Sequence, residues 1–302
     1  MGRRKTMSGK TFLGIAALVA VGCAAGGYYW VKERGETAAR ASETVSTPEP
    51  ETPNSPTPAA VTPTNVTASA SSVKNSTPAG DAGIPLRGGE VLEYSANVAN
   101  LNNVANLKLQ VVERRDFFGK NAWHLQAFAH TENPLRMVFT LDDQFDSYSD
   151  ASTMNSLQYE MHLDERGQKV NSIQRMTSTG KEPAPKDATE TQVLPGTRDP
   201  LGMLEFLRNV DWTKTSEVKC PVYDGHKLYD VRARVASPGE AVSVPAGTYK
   251  ASKIELKVFD NGQEMKDAQF TIYIANNVTR TPVLLEAILP FATARVELQR
   301  AK

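Results

Sequence analysis

Four histidines are spread through the chain, and two of them share a strand-like segment. His124 and His130 lie six residues apart. That even spacing puts both on one face of a strand, about 20 Å apart at roughly 3.3 Å per residue, too far to share a metal ion without a bend. His162 and His226 fall in other segments, so a zinc site would have to be assembled across strands. Exposed or hydrogen-bonded strand histidines are the simpler expectation. The run Asp142-Asp143-Gln144-Phe145-Asp146-Ser147-Tyr148-Ser149-Asp150 offers oxygen ligands of the kind calcium prefers. It lacks the glycine and distal glutamate of an EF-hand loop and reads as a solvated strand-turn edge. Cys220 precedes Pro221 in an expected strand with no local catalytic signature, so it reads as a small apolar strand residue rather than a nucleophile. A glycan or lipid hydrolase would need two inward carboxylates about 5–10 Å apart. Glu93, Glu160, Glu240 and Glu255 are available, but sequence alone does not bring them together. Gly-x-Ser-x-Gly and Walker-type loops are absent. The expectation is a non-enzymatic protein without a cofactor or metal site.

The elements that must position these residues occupy three regions: 1–35, 36–83 and 84–302. The chain carries 34 basic and 34 acidic side chains, and this balance argues against a nucleic-acid partner. The charge is uneven, with a net +5 over residues 1–35, −3 over 36–83 and −2 over the remainder. Arg3, Arg4, Lys5 and Lys10 precede an uncharged stretch, 11–31, that ends in Tyr28, Tyr29 and Trp30. About 20 apolar residues span a bilayer core, and aromatic rings favour its interface. This stretch reads as a membrane anchor with the N-terminus in the cytoplasm. Two rivals are a cleaved export signal and a lipoprotein signal ending Ala20-Val21-Gly22-Cys23, in which Cys23 would be acylated. The bland reading of Cys23 is an apolar residue in the membrane helix. Each reading places the C-terminal domain outside the cytoplasm, in a bacterial cell envelope. Residues 36–83 contain seven of the 18 prolines and no Leu, Ile, Met, Phe, Tyr or Trp. Such a segment cannot bury enough apolar surface to offset chain entropy, and it reads as a disordered stalk.

From residue 84 the apolar period becomes two, the strand signature. Leu107, Leu109 and Val111 alternate with polar positions, as do Trp123, Leu125, Ala127 and Ala129, then Ile254, Leu256 and Val258, then Phe270, Ile272 and Ile274. Turns are expected at 118–121, 164–168, 224–225 and 260–262, where Gly or Asn accepts positive φ. Residues 199–208 fit a short helix, with Asp199 as cap and Pro200 in the first turn. The fold class expected is mainly β: about eleven strands in a curled antiparallel sheet (half-barrel, barrel or sandwich) with one short helix.

Several motifs occur in an order that resembles a known family. Gly89-Glu90-Val91-Leu92-Glu93-Tyr94 is similar to its opening strand, and Asp199-Pro200-Leu201 with Phe206-Leu207-Arg208 resembles its helix. Glu240 and Val244-Pro245-Ala246-Gly247-Thr248-Tyr249 resemble its glutamate and hairpin, and Thr279-Arg280-Thr281-Pro282-Val283 its late Arg-x-Pro-Val. The family is domain of unknown function 3108, found in exported bacterial proteins, and the resemblance spans residues 84–302. It departs around Val104-Ala105-Asn106, at Asn276-Asn277 and at Tyr273, where a glycine, an aspartate and a tryptophan are usual. The resemblance implies no reaction. Its motif residues read as structural.

The function expected is binding of an apolar ligand or envelope polymer. Curved sheets enclose apolar clefts that suit lipids, and Leu201, Met203, Leu204 and Phe206 would line or cap such a cleft. The alternatives are a structural or protein-binding module of the envelope, using an open sheet edge, and the hydrolase above.

Overall fold

Alternation of apolar and polar side chains builds most of the described chain into strands. The computed structural model describes residues 85–178, 183–290 and 292–302. The expected anchor over 11–31, Cys23 and the linker over 36–83 lie outside the described residues. Among the described residues no helix is long and apolar enough to cross a bilayer.

The strands are β1 (Val91–Val98), β2 (Leu101–Phe117), β3 (Lys120–Thr131), β4 (Asp142–Asp150), β5 (Ser156–Glu165), β6 (Gln168–Thr177), β7 (Thr189–Gln192), β8 (Glu217–Tyr223), β9 (Leu228–Val244), β10 (Gly247–Asp260), β11 (Gln263–Glu264), β12 (Gln269–Ala275), β13 (Pro282–Ile288) and β14 (Thr293–Ala301). The one α-helix among the described residues is α1 (Pro200–Asn209). All strands join a single sheet in the order β7-β6-β5-β4-β3-β2-β1-β14-β13-β12-β10-β9-β8, with β11 paired to β10. Neighbours are antiparallel except β6 and β7. The first and last strands pair at the centre of the order, and the sheet does not close, since β7 and β8 remain its two edges.

Three hairpins turn on a pair of left-handed residues, Phe118-Gly119, Arg166-Gly167 and Asn261-Gly262. Positive φ at both positions gives the turn whose twist matches that of the flanking strands. One face of the sheet carries the core. Leu92, Tyr94, Leu107, Leu109, Trp123, Leu125, Ile254, Ile272 and Val296 are buried there in one cluster with Leu201, Leu204 and Leu207 of α1.

Two expectations need correction. The sheet has 14 strands rather than about eleven, because the short polar segments β7 and β11 carry no apolar alternation. The acidic run 142–150 is not a solvated edge. It is β4, between β3 and β5, with Asp143 and Asp146 buried. Backbone pairing on both sides holds it there despite its composition.

Candidate functional site

The helix forms where the sequence provides both of its ends. Asp199 caps it by accepting from Gly202 N at 2.9 Å, and Pro200 sits in the first turn. Ser147 and Ser156 also donate to the buried Asp199 carboxylate. Burial pushes that carboxyl above its ordinary range, and the hydroxyl and backbone donors pull against the rise. Leu201, Met203, Leu204 and Phe206, the expected cleft or lid residues, are all buried. Leu201 and Leu204 face Leu92, Leu109, Val111 and Leu125 across a cavity of about 10 Å³, room for about one water. Phe206 lies under the Arg198 guanidinium, 3.7 Å from its ring centre.

The other end of α1 is clasped by charge. Arg208 is fully buried and donates to both oxygens of Glu205 (2.9 and 3.1 Å) and both of Glu90 (2.9 and 3.1 Å). It also donates to the carbonyls of Thr279 and Arg280. Burial opposes its charge, but Glu205 and Glu90 outweigh that and raise its pKa. Burial likewise raises Glu205, against the pull of Arg208. Arg280 returns the contact by donating to the carbonyls of Arg208, Asn209 and Val210 at the helix C-terminus, where a cation is favoured. Tyr94 Oη donates to Pro282 O at 2.7 Å. Sequence reasoning singled out the helix but missed the pairing. Charged residues in a short helix read as outward, and Glu90 lies 118 residues from Arg208.

A second hollow, of about 400 Å³, opens between the β4–β5 turn and residues 193–197. Its walls are largely polar, with Lys120, Asp150, Thr153, Asn155 and Thr197, over Leu157 and Met176.

The outer face of β3, β4 and β5 carries a third feature. Asp146 stands opposite Gln126 on β3 and Glu160 on β5, and Gln144 stands opposite His162. Asp146, Glu160 and His162 each bring one ligand-type atom within 4.8 Å of the others. His124 Nε2 lies 2.7 Å from Asp146 Oδ1, and the Gln126 and Gln144 amides donate to the same carboxylate at 2.7 Å. Burial works against the Asp146 charge, but these donors outweigh it and lower the pKa. The His124 ring stacks on Tyr148, which stacks on Phe117. Gln158 Nε2 donates to Glu160 Oε1 at 2.6 Å, and His162 Nδ1 lies 3.1 Å from Asn171 Oδ1. The fold thus brings His124 and His162 to either side of one aspartate, although the sequence separates them.

The remaining candidates stay apart. His130 shares the outer face of β3 and pairs with Glu132 at 2.8 Å. His226 sits in a turn, where its backbone N–H is held by Asp224. Burial pushes the Cys220 thiol up, against the pull of Arg198. Glu93, Glu160, Glu240 and Glu255 stand on four different strands. Arg300 and Lys302 engage Glu93, and Arg234 engages Glu255.

Residues 93–299 match the family described as protein of unknown function, DUF3108, and the chain belongs to it. No curated protein matches the chain. Among solved structures, it is similar to a beta-barrel-like protein of domain of unknown function DUF1849 from Brucella abortus, at 11% identity and TM-score 0.48, covering 72% of this chain and 98% of that one. It is also similar to a candidate lipoprotein from Parabacteroides distasonis (14%, TM-score 0.35, 74% and 100%). A third is a candidate exported protein with a YmcC-like fold from Bacteroides fragilis (12%, TM-score 0.34, 73% and 98%).

Proposed function

We propose that this chain is a tethered, non-enzymatic binding module of the bacterial cell envelope, one that takes an envelope protein or polymer on its outer surface. The N-terminal sequence supports export, since a basic flank precedes the uncharged stretch 11–31. The observation that carries the choice of surface is the pinned helix. Between α1 and the sheet the cavity is about 10 Å³, whereas ligand pockets run to about 300–1,000 Å³. An apolar ligand seated there would have to displace α1, and that would break the Arg208 clasp and the Asp199 cap together. This weighs against the reading of Leu201, Met203, Leu204 and Phe206 as a lipid lid.

Photo-leucine incorporated into the full chain in its host tests the reading, because it leaves side-chain volume almost unchanged. After irradiation, the tryptic peptide Asp199–Arg208 is expected to carry only crosslinks within the protein. The exposed Leu101 and Leu194 are where adducts to a partner are expected. A lipid mass on the helix peptide would overturn the proposal.

A further inference from the structure

We propose that the outer face of β4 and β5 holds one divalent transition-metal ion, zinc being the first candidate, on Asp146, Glu160 and His162. The inference starts from charge. Asp146 and Glu160 face each other directly across adjacent strands, an arrangement that is unfavourable for like charges. Among the described residues neither carboxylate meets a lysine or arginine within ion-pair distance. Their ring contacts are the imidazoles of His124 and His162, which carry charge only when protonated. Elsewhere on the outer face, carboxylates such as Glu93 and Glu286 are matched by Arg300 and Arg295.

The imidazole geometry then points to a cation. His162 Nδ1 lies 3.1 Å from Asn171 Oδ1, and Nε2 lies 3.4 Å from Glu160 Oε2. With the ring hydrogen on Nδ1 donated to Asn171, Nε2 is the atom that would bind a cation beside Glu160. A histidine whose other nitrogen donates to an oxygen is also the usual arrangement of a metal ligand. His124, Gln126 and Gln144 orient Asp146 in the same way, and Gln158 orients Glu160. Gln158 Oε1, on the amide that holds Glu160, is buried without a hydrogen-bond partner.

The donor set selects the ion. One imidazole nitrogen and two carboxylates suit zinc or a neighbouring transition metal, whereas calcium and magnesium prefer oxygen alone. Zinc–ligand bonds of about 2.0–2.2 Å place ligand atoms roughly 3.3 Å apart. Atoms now within 4.8 Å reach that spacing by small side-chain adjustments. The site opens on the His162 side, where the ring is 35% exposed while Asp146 is 7% exposed. An ion therefore has an entry path, and its fourth position faces solvent.

The test uses the untagged full chain, stripped with chelator and dialysed against zinc, with bound metal measured by mass spectrometry. One zinc per chain is expected at micromolar free metal, and cobalt in its place is expected to give a visible absorption band. Combining Glu160→Gln with His162→Asn is expected to weaken binding on the order of 100-fold or more. Asn171→Ala should weaken it about tenfold, and His130→Asn should leave it unchanged. A wild-type chain that binds no zinc, leaving only protons to bridge these pairs, would overturn the proposal. So would a double variant that binds zinc as the wild type does.

Discussion

Replacing Arg208 by Met removes the guanidinium and keeps most of the side-chain volume. The consequence follows from what Arg208 holds. It is fully buried, and its five N–H groups reach two carboxylates and two carbonyls. Met satisfies none of them and leaves Glu205 buried beside Glu90. Breaking a buried pair from one side costs about 3–5 kcal/mol, a large part of a net stability of about 5–15 kcal/mol. For a domain of this size each kcal/mol moves Tm by about 2–4 °C, so a fall of roughly 12 °C is expected. Two controls separate this cause from lost packing. Burial already raises the Glu205 pKa while Arg208 pulls it back. Without Arg208 it rises further, and protonation then relieves the stranded charge. The folded state of the variant binds more protons than the unfolded state above the unfolded carboxyl pKa, so its deficit grows as pH rises and shrinks as pH falls. Adding Glu205→Gln to Arg208→Met removes the stranded charge, and the double variant is expected to be more stable than Arg208→Met alone. Trp212, whose Nε1 donates to Leu207 O at 3.0 Å, reports the helix end in urea unfolding followed by fluorescence. A Tm loss under about 2 °C, or a deficit independent of pH, would refute the clasp.

Two further outcomes follow from the other end of α1 and from β4. A Cβ added at Gly202 would lie 2.8 Å from Ser149 Oγ, 2.9 Å from Ser156 Oγ and 3.2 Å from Met154 O. Gly202→Ala gains about 1 kcal/mol of helix propensity but costs about 1–3 kcal/mol of overpacking, and it displaces a hydroxyl that holds Asp199. Calorimetry is expected to show a Tm lower by a few degrees, and an unchanged or higher Tm would show that the helix shifts freely. Burial pushes the Asp143 carboxyl up to about 7, against about 3.9 in an unfolded chain. The folded state therefore holds the proton longer, and this group's contribution, roughly 4 kcal/mol, is complete below pH 4 and lost as pH rises through 7. Urea midpoints measured from pH 4 to pH 8 should fall more steeply for wild type than for Asp143→Asn, and parallel curves would contradict the assignment.

Strands and turns were legible where chemistry repeats locally. The period of two in β3 put Trp123, Leu125, Ala127 and Ala129 on the core face, and all four are buried there. The glycines of Phe118-Gly119, Arg166-Gly167 and Asn261-Gly262 marked hairpins because few other residues accept that backbone. Asp199-Pro200 marked the helix start. β4 was not legible as an interior strand, because its inward side chains include Ser147 and Ser149, whose burial depends on their hydrogen bonds to each other and to Asp199. The Arg208 clasp and the Asp146 cluster were hidden for a different reason. Both depend on register between separate segments, and no local pattern encodes which outward residue of β4 faces which residue of β5.

Several of the residues by which the chain resembles its family converge on one place. Glu90, Glu205, Arg208 and Arg280 form the clasp, Tyr94 and Pro282 bond beside it, and Asp199 caps the far end of the same helix. Each of these groups spends its hydrogen-bonding capacity on another part of the fold. Arg208 is the limiting case, with every N–H directed at a protein acceptor. Such residues fix where α1 sits, and they have little left with which to recognise a ligand. Family membership therefore accounts for the shape of this domain and is silent about its partner. The cluster of Asp146, Glu160 and His162 lies outside those motifs and has the opposite character. Its two carboxylates are held in place by amides and imidazoles without a full counter-charge, at a surface that solvent reaches from one side. A cation arriving there has most of its ligands already positioned, so little ordering entropy opposes its binding. A bound ion is thus to be sought on the outer face of β3 to β5, where two carboxylates meet no lysine or arginine among the described residues, rather than around the helix, whose charged groups are engaged by the fold itself.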